Sequence, residues 1–268
     1  MAFSRRHFLK NTGLGLLALG LPPSFVVRAA EGERRTRGKI FVVIFQRGGM
    51  DGLNAVIPFK EPAYYSLRPS IAIPEPASGE ERSIDLDGFY ALHPALAPLK
   101  SLFDQRRLAI IHATGSPDNT RSHFDAQDYM ELGTPGVKNT PDGWLGRCLT
   151  KNIDESTPFR AVALSTRLPR ILAGSGPALT MTSVEEFRLR NESFATALQR
   201  LYASKEDPLL QRGGKSLFEG MAVLKQIASS IPPATESYPN GRFGASLREI
   251  SRLIKANIGL EIAFTEIE

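Results

Sequence analysis

An α/β fold, with a mostly parallel sheet and helices on both faces, is predicted by three observations. Lys39–Phe45 (KIFVVIF) and Leu108–Ala113 (LAIIHA) are continuous apolar, β-branched runs, the pattern of strands buried on both faces. Amphipathic helical stretches alternate with such runs, as they do where helices cover a parallel sheet. The first run also ends at once in a glycine-rich turn, Arg47-Gly48-Gly49-Met50-Asp51-Gly52, the punctuation expected where a buried strand leaves its sheet.

The elements follow in order. After the first strand, Pro94–Gln105 reads as an amphipathic helix with Leu96, Leu99, Leu102 and Phe103 on one side. Leu108–Ala113 is the second strand, closed by Thr114-Gly115, which makes His112 a core histidine with a satisfied ring in preference to a ligand. His93, before Pro94, caps a helix start. Ser122–Leu132 is helical, with Ser122 as N-cap and Asp125 three residues on. Arg160–Leu164 and Ala178–Thr182 are short strands. From Val184 the texture changes to long helical segments over 184–204, 207–230 and 243–257, separated by Pro and Gly. Leu260–Thr265 is a last strand, so the helix-rich 184–257 reads as an insertion or cap on an α/β domain spanning 39–268.

The first 29 residues have a different character. Ser4-Arg5-Arg6-His7-Phe8-Leu9-Lys10 precedes the uncharged stretch Asn11–Val27, and Val27 and Ala29 are small residues placed for cleavage after Ala29. Charged, apolar and small-residue zones in that order define a signal peptide, and the arginine pair marks the twin-arginine (Tat) route. The expected partner is therefore the Tat translocase, and the expected location periplasmic or extracellular. The apolar run is shorter than the ~20 residues a spanning helix needs, and Pro22-Pro23 would break such a helix. No stable membrane span is expected. Removing Arg5, Arg6, Lys10 and Arg28 takes the formal charge from +5 to near +1, which excludes a nucleic-acid reading of the basic pI. Residues 30–38, with Arg34, Arg35 and Arg37, form a polar linker, and Cys148 has no cysteine with which to form a disulfide within the chain.

Two constellations carry chemistry. In an open α/β sheet the functional crevice lies beyond the carboxyl ends of the strands. Asp51 stands there between Gly49 and Gly52, suited to ligate a divalent cation or, alternatively, to satisfy backbone donors in a tight turn. Arg47 suits an anionic group. The second constellation is Thr120-Arg121-Ser122-His123-Phe124-Asp125-Ala126-Gln127. A serine at a helix N-terminus is placed as a nucleophile, or simply as the cap, and His123 beside it as base, metal ligand or local hydrogen-bonding group. Trp144, in Asp142-Gly143-Trp144-Leu145-Gly146-Arg147, anchors a turn or, alternatively, lines the cleft.

The Tat leader, RGGMDGLN, Tyr64-Tyr65 with Arg68-Pro69, Leu92-His93-Pro94, RSHFDAQ and DGWLGR occur in an order that resembles domain-of-unknown-function family 1501. These are exported bacterial proteins of the alkaline phosphatase-like and sulfatase-like superfamily, and the resemblance is dense over residues 39–149. It implies an alkaline phosphatase-like sandwich and the hydrolysis or transfer of small anionic phosphate or sulfate esters. It implies a bound divalent cation (zinc, magnesium or calcium) with Asp51 as its first carboxylate. It also implies a nucleophile in RSHFDAQ, Ser122 first and Thr120 second, with Arg47 or Arg121 stabilising transition-state charge. Relatives continue into a glycine-rich turn and further Asp-His motifs, so a C-terminally incomplete domain is expected here. A non-catalytic secreted binding or structural protein, or an inactive truncated product, is the alternative.

Overall fold

A computed structural model describes residues 38–77, 81–150, 159–184 and 237–267. The leader, its cleavage point at Ala29, most of the linker and the helical segments expected over 184–204 and 207–230 lie outside the described residues, Val184 excepted. The fold is mixed α/β. The chain forms two compact units, the first holding residues through Phe45, Glu131–Gly133 and Asn139–Ile267, the second mainly Gln46–Met130 and Thr134–Lys138.

The first unit is built on a four-stranded sheet of β1 (Phe41–Gln46), β5 (Ala161–Leu164), β6 (Ala178–Met181) and β7 (Ile262–Ile267) in the order β1-β7-β5-β6. The remaining strands belong to the second unit. β5 runs parallel to both neighbours, with Val162 opposite Leu179 and Ala163 opposite Phe264. Because side chains alternate across a strand, β5 faces two cores. Val162 and Leu164 pack with Phe159, Met181, Ile250 and Leu253, the last two from the helix Arg242–Ala256. Ala161 and Ala163 face Leu145 and Leu149 and the 3-10 turn residues Ile171 and Leu172, with Phe264 and Ile262 of β7. Helical elements thus cover both faces of this sheet, as the alternation of elements predicts.

The charges on this core are paired. Arg160 is buried at the start of β5, donating from Nε and Nη2 to the two oxygens of Glu261 at 2.9 Å and from Nη1 to the carbonyl of Leu149 at 2.8 Å. Its fork geometry ties the entries of β5 and β7 together while leaving half of Glu261 in water. Within the helix Arg242–Ala256, buried Arg252 meets Glu249, whose Oε2 also accepts the Val184 N–H at 3.1 Å.

The second unit carries a three-stranded antiparallel sheet, β2 (Val56–Ile57), β3 (Ile84–Asp85) and β4 (Ala91–Leu92), in the order β2-β4-β3. Strands of two residues give no period to read, and the sequence offered no sign of them. Ile57, Phe59, Tyr64 and Ala91 form the core beneath. Asp87 accepts the Phe89 and Tyr90 N–H groups in the β3–β4 turn, which holds its carboxyl below the usual range.

Four expectations need correction. Leu108–Ala113 forms no strand: none of the described residues supplies a ladder to it, Ala113 takes φ 52°, and Ile111 is 78% exposed. His112 is accordingly an exposed residue, stacked on Tyr90 with centroids 4.1 Å apart, not a core histidine. β1 forms, but as the sheet's edge; Phe41 is 53% and Ile44 49% exposed, so it is not buried on both faces. The amphipathic stretch at 94–105 divides into a 3-10 segment, Pro94–Leu99, and an α-helix, Lys100–Asp104, because Pro98 has no N–H for an α-helical bond. His93 caps it as expected, its Nδ1 accepting the Ala95 N–H at 3.1 Å.

Candidate functional site

Both constellations lie in the second unit, and the structure brings part of them together. Beyond β1 the backbone turns through Gly48 (φ 94°) and Gly49 (φ 70°), a left-handed region where glycine carries no steric penalty. A methyl at Gly49 would also sit 3.0 Å from Cε1 of His123, so only glycine lets this loop approach the imidazole so closely. Arg47 donates from Nη1 to Oε1 of Gln127 at 2.7 Å, one turn further along the helix His123–Leu132. The loop of the first constellation thus rests on the first turns of the second.

Asp51 is engaged differently. Its Oδ1 accepts the Leu53 N–H at 3.2 Å and caps the short helix Gly52–Ala55. Its Oδ2 accepts both Nη2 and Nη1 of Arg68, at 2.6 and 3.0 Å. Arg68 follows the helix Pro62–Leu67, which Glu61 caps and which stops ahead of Pro69. Nearby, the Tyr64 hydroxyl donates to Asn54 Oδ1 at 2.8 Å and accepts the Ile73 N–H at 2.9 Å, while Asn54 Nδ2 donates to the Ile71 carbonyl at 2.8 Å. No hydrogen bond or ion pair joins Asp51 to Thr120, Ser122 or His123.

Ser122 is the N-cap, its Oγ accepting the Asp125 N–H at 3.3 Å. Thr120 Oγ1 accepts the Ser122 N–H at 3.1 Å, and Asp118 Oδ1 accepts the Thr120 N–H at 2.8 Å. These side chains stand in for backbone partners and fix an otherwise irregular entry to the helix. Arg121 is exposed, with no hydrogen bond or ion pair among the described residues.

Asp125 pairs with Lys138. The lysine's hydrogen bond, with its charge and a Ser122 hydrogen bond adding to it, holds the Asp125 carboxyl below the usual range against a smaller desolvation effect. The same hydrogen bond raises the Lys138 ammonium. A depressed carboxyl stabilises the folded chain above the unfolded value of about 3.9, and that contribution is lost as pH falls through the lower folded value. A raised lysine contributes below its unfolded value, about 10.4, and loses this as pH rises through the folded one. An NMR titration of the Asp125 carboxyl is expected to return to ordinary behaviour in Lys138→Ala. An unchanged midpoint would remove the lysine as cause.

Sequence reasoning missed Arg68 and Gln127 as members of this site. An arginine directly before a proline, where a helix must end, and a glutamine one turn beyond His123 were the available signals. Among the described residues no three His, Cys, Asp or Glu side chains gather as a ligand set, and no helix is long and apolar enough to cross a membrane. Comparison with family models, curated proteins and solved structures returned no match.

Proposed function

We propose that this chain is a Tat-exported, periplasmic or extracellular protein of the family 1501 type, with an alkaline phosphatase-like sandwich and a site for phosphate or sulfate esters. The observation that supports this reading is the approach of Gly49 to His123 together with the Arg47–Gln127 bond. It sets a strand-end loop bearing a cation against a helix N-terminus bearing a hydroxyl and an imidazole. Arg47 and Arg121 would hold the ester's anionic oxygens, and the N-terminal N–H groups would add to them. Ser122, with Thr120 second, would attack phosphorus or sulfur while His123 accepts the hydroxyl proton. The ester oxygen would leave as the new bond forms, taking the proton from His123, and a water deprotonated by His123 would then displace phosphate or sulfate from the serine. A divalent cation would supply Lewis-acid charge, but the described residues do not fit one at Asp51, whose Oδ2 faces a guanidinium at 2.6 Å.

Purified full-length chain is expected to hydrolyse p-nitrophenyl phosphate or sulfate, and Ser122→Ala to lower turnover about a hundredfold or more. Absence of turnover and of phosphate binding, with or without added zinc or magnesium, would sink the reading. The competing reading, a non-catalytic binding or structural protein, is favoured by the fact that Thr120, Ser122 and Asp51 each fill a local structural role. In that case Ser122→Ala costs only the cap, about 1 kcal/mol of stability, and leaves phosphate affinity unchanged.

A further inference from the structure

We propose that Arg68 occupies the place of a cation at Asp51 and offsets that carboxylate's negative charge from within the chain, so that the oxyanion site binds anions without a divalent metal. This rests on the oxyanion reading above and goes beyond it in naming what offsets the Asp51 carboxylate. Three observations carry it. Arg68 places both terminal nitrogens on Asp51, with Nη2 at 2.6 Å and Nη1 at 3.0 and 3.3 Å from the two oxygens. That planar fork is the strong, directional form of a carboxylate pair, and it uses the lone pairs a metal would need. Second, the guanidinium lies over an aromatic face, its carbon 5.9 Å from the Tyr64 ring centroid. Tyr64 is itself pinned by Asn54 and Ile73. Third, Asp51 also caps the helix that opens at Gly52, so the same carboxylate fixes both the loop and the arginine. A carboxylate so committed cannot ligate a cation until the arginine leaves, and the pair as it stands leaves no bare negative charge at Asp51 to repel an anion.

The test measures inorganic phosphate binding to the full-length chain by calorimetry, before and after treatment with a chelator and again with added zinc or magnesium. The expected result is one phosphate affinity, unchanged within about twofold by chelation or metal, and weakened at least tenfold in Arg68→Ala. Arg68→Lys keeps charge but not the fork; an intermediate loss is expected there, and it supplies the reading should the alanine variant fail to fold. Phosphate bound only after metal is added, or a metal that co-purifies and is lost in Asp51→Ala, overturns the proposal while sparing the oxyanion site. Metal-independent binding that neither Arg68 variant weakens also overturns it. Phosphate bound under no condition overturns the oxyanion reading, and this proposal with it.

Discussion

Replacing Gly146 by alanine is expected to destabilise the protein by about 3 kcal/mol, although the same change inside most helices stabilises by up to about 1 kcal/mol. The opposite sign follows from packing. In the helix Trp144–Cys148, a Cβ on Gly146 would lie 1.9 Å from the carbonyl oxygen of Ala173 and 2.8 Å from its carbon. Those atoms are backbone, so no rotamer can yield, and the helix must lift off the 3-10 turn Arg170–Leu172. A Cβ on Gly143 would meet the same surface, 2.1 Å from the Arg170 carbonyl oxygen, and the Gly143 N–H donates to the Ala173 carbonyl at 3.0 Å. Lifting the helix would expose Leu145 and Leu149, both buried in the core beneath the sheet. Gly52→Ala is the control, because a methyl there meets nothing within 4 Å, and it is expected to be neutral or slightly stabilising. Urea denaturation of both variants decides the matter. A Gly146 variant as stable as the parent chain would mean that the helix does not rest on that turn.

This packing shows where sequence reading reached and where it stopped. DGWLGR reads in sequence as a turn anchored by Trp144; it opens the helix Trp144–Cys148 instead, with Trp144 partly buried and edge-on to Phe41 at 6.4 Å. Its two glycines carry no chemical signal of their own, since the need for them arises from a backbone stretch some 25 residues away. β5, β6, β7 and the helix Arg242–Ala256 were readable because burial on two faces, or one strong amphipathic face, leaves a local pattern. Leu108–Ala113 has the same pattern and forms no strand, because apolar character permits a strand while only a neighbour's hydrogen bonds make one. At the site, the cap at Ser122 follows from its position, and the structure adds the partners. The Arg68–Asp51 pair joins residues 17 apart through a helix stop, which local periodicity does not encode.

The other large effect is expected from Phe264→Ala, with a loss of about 3–5 kcal/mol, a substantial share of a typical total of about 5–15 kcal/mol. Phe264 has no exposed surface and stands on β7, which lies between edge strand β1 and β5. It packs with Leu145, Leu149, Ile171 and Leu172, while Ala161 and Ala163 of β5 leave the space its ring fills. Small residues on one strand opposite a large one on the next make the cavity term severe, because alanines cannot extend to close it. Phe264→Leu should cost roughly 1.5 kcal/mol or less, since most of the volume is kept. The aromatic and the glycine share one cluster: Leu145, next to Gly146, touches the core that Phe264 fills. The two losses are therefore expected to be less than additive, because a helix already lifted by the methyl at position 146 no longer closes over the ring. A double-mutant cycle read by urea denaturation measures that coupling. Strict additivity would mean that the helix and β7 stabilise the sheet independently, and that the close approach at Gly146 serves only its own turn.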